Sequence, residues 1–214
     1  MISNSILNNI MRHVVQMLDK PVIFVLLVML LFTIILIGEL IAEYLKRRYI
    51  SVKAGKVIDA IRNGDRKPQD IIATSRLLDS QKEIFMEVTK HKNLSGEMKE
   101  SLAVSLLDNY ERRQNMRIKR TELIVKLGPT FGLLGTLIPL GPGIIALAQG
   151  DTATLSYSLL SAFDTTVIGL ISGAFCAVMT AIRKNWYEKD RIMLTLIMEA
   201  VVECEIKEGD KNVK

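Results

Sequence analysis

Long apolar blocks separated by charged segments dominate the chain. The first block is uncharged from Pro21 to Gly38, the second is uncharged from Leu127 to Gly150, and the third runs from about Ser156 to Ile182 with one charge at Asp164. A helix needs about 20 apolar residues to cross the bilayer core. Each block therefore predicts a transmembrane helix. The short polar connection between the second and third predicts that those two helices form a hairpin.

These blocks divide the chain into seven predicted segments. They are an N-terminal extracytoplasmic segment (1–20), transmembrane helix 1 (21–43), a cytoplasmic helical region (44–126), transmembrane helix 2 (127–148), an extracytoplasmic turn (149–155), transmembrane helix 3 (156–182) and a cytoplasmic C-terminal helix and tail (183–214). Lys and Arg are enriched on the cytoplasmic side of membrane proteins. Here they cluster after the first and third blocks and before the second, and are absent from the hairpin connection. This predicts a multi-pass protein of the cell membrane with its N-terminus outside and its C-terminus in the cytoplasm.

The cytoplasmic region has the periodicity of helices. Apolar residues recur at helical spacing before a predicted turn at Asn63-Gly64-Asp65, and Pro68 suits the first turn of a new helix with an apolar stripe. A break follows, with Ser95 as a candidate N-cap. Neither Pro nor Gly then occurs between Glu97 and Gly128, so we expect one helix that continues through the second span. The apolar pattern of residues 186–205 likewise predicts an extension of the third span. The predicted fold is an all-α membrane protein with long cytoplasmic helical extensions.

The composition excludes several classes of function. Hydrophobic residues make up 49% of the chain and the net charge is +5, but the basic clusters lie at predicted membrane boundaries, where topology and anionic lipid explain them. We therefore expect a lipid membrane and no nucleic acid as a partner. Cys176 and Cys204 offer no disulfide framework, and His13 and His91 have no companions for a metal site. No phosphate loop or catalytic constellation is present, so we expect neither an enzyme nor a cofactor.

Glycines in the second and third spans predict close helix packing. Gly128, Gly132 and Gly135 fall near one face of the second span, and Gly169 and Gly173 lie four residues apart in the third. Small residues let helix backbones approach each other in lipid, where no hydrophobic force drives association. The pattern alone indicates tight packing and nothing more specific.

Two threonines offer a choice between a structural and a functional role. Thr166 shares a helix face with Gly169 and Gly173, and Thr136 follows the glycine face of the second span. A hydroxyl in a span commonly bonds to the backbone carbonyl one turn earlier. On two adjacent spans, such oxygens would instead lower the cost of passing an ion or a hydrated proton. Periodicity leaves both interpretations open.

Asp164 is the charged residue inside the third block. A carboxylate within a span is costly and is a functional candidate by default. Its distance from Arg183, roughly 28 Å at 1.5 Å per residue, places it near the outer boundary. It is therefore either an interfacial carboxylate in contact with water, a cation-attracting group at an outer mouth, or a contact for a partner. At the other boundary Glu39, Glu43 and Arg47 step by four, which is typical of a helix-surface charge ladder.

Two motifs carry a family resemblance. The segment Gly128-Pro-Thr-Phe-Gly-Leu-Leu-Gly-Thr136 resembles the signature of the MotA/TolQ/ExbB proton channel family in its penultimate span. The segment Ala162-Phe-Asp-Thr-Thr-Val-Ile-Gly-Leu170 resembles the matching signature in the last span. The resemblance covers about residues 97–186. The three-span layout is similar to that of ExbB and TolQ.

This resemblance implies an assembly and a function. Members of the family form a pentameric ring around a dimeric, single-span ExbD/TolR/MotB-like partner that supplies an intramembrane aspartate. The family's pore threonines correspond to Thr136 and Thr166, and Thr165 occupies a position that is often small and apolar. The expected function is a ring-forming subunit of a motor or channel complex that couples proton or sodium flow to mechanical work. The alternative from another class is a membrane scaffold that organises partners without conducting ions.

The sequence departs from the family pattern at two places. Pro139 and Pro142 follow Thr136, where a continuous helix is expected. Because proline removes a backbone hydrogen bond and kinks a helix, they predict a bent or unwound outer end of the second span. Asp164 replaces a residue that is usually apolar in ExbB-like chains, which makes it and Thr165 secondary candidates for the ion pathway or a partner contact.

Overall fold

Helix is the regular secondary structure throughout the residues that the computed structural model describes, which are 10–11, 13–15, 17–48, 54–62, 68–91 and 94–212. The helices are α1 (Asp19–Arg48), α2 (Ala54–Arg62), α3 (Pro68–Thr74), α4 (Asp79–Lys90), α5 (Gly96–Ala148) and α6 (Thr152–Asn212). The all-α prediction is thus confirmed. The predicted turn at Asn63-Gly64-Asp65 and most of the predicted N-terminal segment lie outside the described residues.

Three helices are long and apolar enough to cross a membrane, which confirms the three predicted spans. The helices that contain these spans are His13–Arg48, Gly96–Ala148 and Thr152–Ile206, and the membrane boundaries within them stay predictions. The second and third are continuous over 53 and 61 residues, respectively. Pro139 and Pro142 lie inside α5, whose helical hydrogen bonding continues to Ala148. The expectation of an unwound outer end is therefore wrong, whereas a bend at these prolines stays a prediction.

The single helix expected after Pro68 is instead two helices, α3 and α4. Pro68 does begin α3, as predicted, but that helix ends at Thr74. The Ser75 hydroxyl donates to the Ile72 carbonyl over 2.6 Å, and Ser75 N–H bonds back to Ile71 and Ile72. Such local bonds compete with continuation of a helix. Leu77 is then buried in the break, so the apolar stripe continues although the helix does not.

The chain forms two compact units. The first comprises Met1–Leu40 and Lys119–Ala181, and it contains the apolar parts of α1, α5 and α6. Its buried clusters join Met29 and Leu36 of α1 to Ile124 of α5 and to Cys176 of α6. Many of its apolar side chains remain exposed, for example Phe163 at 65%, which suits a surface covered by lipid or by other chains.

The second unit comprises Ile41–Ile118 and Ile182–Lys214. Its core gathers the apolar stripes of the short helices α2, α3 and α4 against residues of α5 and α6. The completely buried members of that core are Ile72, Phe85, Leu194, Ile197 and Val201. Because the core as a whole draws side chains from five helices, the short helices are held by tertiary packing and not by their own propensity.

Candidate ion pathway in the helical hairpin

A tight turn connects α5 to α6 in the first unit. Gly150 has φ +81°, a left-handed conformation that glycine adopts without steric cost. The N–H of Asp151 bonds to the Ala146 carbonyl over 2.9 Å and the N–H of Gly150 bonds to the Leu147 carbonyl over 3.0 Å, which is the Schellman pattern of a helix end. The direction of the chain is thereby reversed within three residues.

Asp151 also caps the start of α6. Its carboxylate accepts hydrogen bonds from the backbone N–H and the hydroxyl of Thr154, over 3.0 Å and 2.5 Å, respectively. These bonds to the hydroxyl and the N–H lower the pKa of Asp151, because they favour the charged carboxylate. The turn is therefore fixed by local bonds on both sides.

The predicted glycines lie where the backbones of α5 and α6 touch. A Cβ atom added at Gly128 would lie 2.6 Å from the Gly169 carbonyl oxygen and 3.2 Å from the Gly173 nitrogen. One added at Gly132 would lie 3.5 Å from the Cα atoms of Gly169 and Thr166. Since the neighbouring atoms are backbone, no side-chain rotation can make room for a larger residue. The contact is closest at Gly128 and Gly169.

Thr165 and Thr166 continue this contact toward the turn. A Cβ atom at Gly135 would lie 2.6 Å from the Cβ of Thr165. Thr165 is buried, and its hydroxyl donates to the Ala162 carbonyl over 2.9 Å. Thr166 is half-buried beside Gly132. Thr165 therefore has a packing role, whereas Thr166 lies at the edge of the helix contact.

Thr136 and Thr166 lie within one helical turn of each other along the antiparallel hairpin. Thr136 directly follows Gly135, and Thr166 directly follows Thr165, the residue that Gly135 contacts. The Thr136 hydroxyl donates to the Leu133 carbonyl over 2.7 Å. A hydroxyl has one donor and two acceptor lone pairs. With its proton directed at the backbone, Thr136 presents an oxygen that accepts hydrogen bonds or faces a cation.

Asp164 is not part of the hairpin contact. It is exposed, and it lies about 200° around α6 from Thr166, at the roughly 100° per residue of an α-helix. Among the described residues, no hydrogen bond or ion pair to its carboxylate is present. The structure thus brings Thr165 and Thr166 to α5 and leaves Asp164 on a different face of α6.

Buried polar groups elsewhere in the first unit were not predicted from the sequence. The hydroxyls of Thr180 and Thr121 are hydrogen-bonded over 2.6 Å between α6 and α5. Thr33 of α1 lies 3.8 Å from the Cys176 sulfur and donates to the Met29 carbonyl over 2.8 Å. Both pairs link spans through small polar side chains, as is common where helices associate in lipid. Each of these residues stands alone in its segment, so no periodic pattern predicted the contacts.

A cluster of buried charges in the second unit corrects one sequence interpretation. Arg47 of α1 contacts Asp190 of α6 over 2.7 Å and Glu43 over 3.2 Å, and the three side chains are only 12–16% exposed. Arg183, 1% exposed, lies 3.5 Å from Glu43. The interpretation of Glu43 and Arg47 as a surface ladder is therefore wrong. The available signal was the spacing of charges at 43 and 47 in α1, four residues apart, and at 183 and 190 in α6, seven apart, since each spacing places both charges on one helix face.

Aromatic side chains complete this cluster. The Arg47 guanidinium lies 5.2 Å from the ring centre of Trp186 and 5.6 Å from that of Tyr187, and the Tyr187 hydroxyl donates to Glu43 over 3.3 Å. Burial, and then the Glu43 carboxylate, raise the pKa of Tyr187 to about 12. Burial lowers the pKa of Arg47, but Asp190 and Glu43 outweigh it, and the net shift is upward. Two charges of each sign thus neutralise each other.

The helices and the hairpin indicate a multi-pass membrane protein with candidate ion-facing oxygens at the edge of the contact between two closely packed spans. A family model described as the MotA/TolQ/ExbB proton channel family matches residues 72–195, more than half of the chain. The protein belongs to this family, which supports a channel-type role and not an enzymatic one. No curated protein shows a significant match to the chain.

Proposed function

We propose that this protein is a ring-forming subunit of an ion-driven motor or channel complex in the cell membrane. It couples proton or sodium flow to mechanical work on or by a dimeric, single-span ExbD/TolR/MotB-like partner. The supporting observation is that Thr136 and Thr166 lie within one helical turn of each other along a hairpin with touching backbones, within the matched residues. We further propose a pentameric ring, an N-terminus outside and a cytoplasmic C-terminus.

The hydroxyls explain what this chain contributes to the pathway and what it lacks. Threonine oxygens replace part of the hydration shell of a passing cation, but a threonine hydroxyl does not take up and release protons near neutral pH. The carboxylate nearest in sequence, Asp164, lies on another face of α6. An acid–base group must therefore come from the partner. The subunit alone should conduct poorly.

The test is the variant Thr166→Val, which keeps the size of the side chain and removes its oxygen. The complex, purified together with its single-span partner, is reconstituted into liposomes, and flux is recorded separately under proton and sodium gradients. We expect flux of the transported ion to fall by at least about tenfold, since losing one liganding group costs on the order of 1.4 kcal/mol or more. The native mass in mild detergent should remain that of the pentamer.

Two matched variants make the result specific. Thr166→Ser restores the oxygen and should restore flux, and Thr74→Val repeats the substitution at an exposed residue of α3 and should leave flux unchanged. Full flux in Thr166→Val would remove this residue from the pathway. A wild-type complex that assembles but conducts neither ion with its partner present would favour the scaffold.

A further inference from the structure

An apolar groove with an acidic rim lies between α5 and α6 in the second unit. Its volume is about 500 Å³. The apolar lining residues are Ala103, Val104 and Leu107 of α5 and Met198, Val202 and Ile206 of α6. The residues of α6 recur at intervals of four, and Leu107 lies three and four residues after Val104 and Ala103, so each helix presents one continuous face to the groove. We call this feature the acidic groove.

Three glutamates form the rim of the acidic groove. Glu100 lies on α5, and Glu199 and Glu203 lie on α6. Glu203 has an ion pair with Arg62 at 3.7 Å, whereas Glu100 and Glu199 are exposed and have no ion pair with any described residue. The segments that line the groove, 100–107 and 195–206, contain no Lys or Arg. The rim therefore carries an uncompensated negative charge beside an apolar floor.

The dimensions fit a short helix. The lining residues of α6 run from Thr195 to Ile206, which corresponds to about 16 Å or three helical turns. A groove between two helices that is apolar at its centre and charged at its edges is the usual acceptor for an amphipathic helix. Val104 is 59% exposed at this groove, so an apolar anchor is accessible there.

A second copy of this chain does not supply the complementary charge. In the proposed ring, copies are related by rotation about the membrane normal, so each groove meets residues of the same height in its neighbour. Over residues 96–109 the one basic side chain is Lys99, which is buried and paired with Glu205 at 3.7 Å. Residues 192–206 contain none. The facing stretches of α5 and α6 in a neighbouring copy would therefore add acidic charge to an acidic rim, and Arg62 of α2 is already paired with Glu203.

We propose that the acidic groove binds a basic amphipathic helix of a separate cytoplasmic protein. The apolar stripe of that helix would contact Val104 and Leu107, and flanking Lys or Arg residues would pair with Glu100 and Glu199. The proposal rests on the proposed topology, which places this groove in the cytoplasm, but it does not depend on ion conduction. The acidic groove would thus bind a soluble protein that is distinct from the single-span partner in the membrane.

The test uses the full-length protein in nanodiscs of zwitterionic lipid, so that a basic probe is not attracted to the bilayer. The probe is a fluorescent helical peptide of about 14 residues, long enough for the roughly three turns of the groove, with Leu at i, i+3, i+4 and i+7 and Lys at both flanks. Binding is measured by fluorescence anisotropy. We expect saturable binding that Glu100→Lys/Glu199→Lys weakens by at least about tenfold, since two lost pairs and the new repulsion sum to roughly 1.4 kcal/mol.

Charge exchange provides the decisive control. A peptide with Glu in place of each Lys should bind the Glu100→Lys/Glu199→Lys protein and not the wild type. Glu83→Lys/Glu188→Lys, which makes the same change at exposed sites outside the groove, should bind the basic peptide as the wild type does. Equal binding by both double variants, or by empty nanodiscs, would overturn the proposal.

A photo-crosslinking residue at position 104 identifies the occupant. We expect an adduct with the peptide and none between two copies of the chain. An adduct between copies that the peptide does not compete away would show that the groove is a subunit interface, and this would also overturn the proposal. Neither failure would alter the flux expected of Thr166→Val, so the two proposals are tested separately.

Discussion

Replacing Gly169 by alanine should separate the two helices of the hairpin. The new Cβ atom would lie 2.9 Å from the Cα and 3.1 Å from the nitrogen of Gly132, and closer still to the carbonyl oxygen of Gly128. Carbon atoms in ordinary contact are about 3.5–4.0 Å apart. Because all three neighbours are backbone atoms, α5 and α6 would have to move apart by roughly 1 Å.

Two opposing terms set the magnitude. Overpacking a well-packed contact costs about 1–3 kcal/mol, and a clash with backbone falls at the upper end. Alanine is a better helix former than glycine by about 1 kcal/mol, which offsets part of that cost. The net loss of stability is then about 2 kcal/mol. For a chain of this size, this corresponds to a Tm lower by roughly 4–8 °C.

The matched control is Gly141→Ala in the other helix of the hairpin, α5. A Cβ atom at Gly141 meets nothing within 4 Å, so only the helix-propensity gain applies, and stability should stay equal or rise by up to about 1 kcal/mol. The assay is the Tm of the detergent-purified protein, from the fraction that remains folded on size-exclusion chromatography after heating. If Gly169→Ala is as stable as Gly141→Ala, the backbone contact does not hold the hairpin together.

Three further predictions concern the second unit. Asp190→Asn should destabilise the protein by about 2 kcal/mol because it removes one carboxylate from the buried Arg47. The control Lys46→Ala breaks an exposed ion pair and should cost less than about 1 kcal/mol. Equal losses of stability in the two variants would contradict the burial argument. Folding raises the pKa of Tyr187 from the ordinary 10.0 to about 12. The advantage in Tm of the wild type over Tyr187→Phe should therefore be constant below about pH 10 and shrink as the pH rises toward 12. A difference in Tm that does not change with pH would refute this explanation. A membrane-impermeant maleimide should label Cys204, which is partly exposed, in inverted vesicles and not in intact cells. Labelling in intact cells would show that the C-terminus lies outside, contrary to the proposed topology. Cys204→Ser is the control that measures background labelling.

The spans and the two long helices were predictable because their signals are local. Hydropathy over a window of about 20 residues identifies a span, and the absence of Pro and Gly between Glu97 and Gly128 favours an uninterrupted helix. The prolines were misleading in one respect. Inside a span, with no water to bond a free carbonyl, unwinding is costly, so helix geometry persists through Pro139 and Pro142.

The features that the sequence did not reveal depend on contacts between distant residues. The break between α3 and α4 results from bonds of Ser75 and from burial of Leu77, which no periodicity shows. The pairing of Arg47 with Asp190 joins residues 143 positions apart. The roles of Thr136 and Thr166 in an ion pathway remain predictions, because they depend on chains that surround this one.

The contact between Gly128 and Gly169 limits how this part of the protein can move. Sliding one helix along the other by a full turn, about 5.4 Å, would in one direction bring Thr165 to the place where even a methyl group does not fit. We therefore expect α5 and α6 to resist sliding in that direction and to move together as one hairpin. A movement driven by an ion would then occur mainly at the surfaces where this hairpin meets other chains.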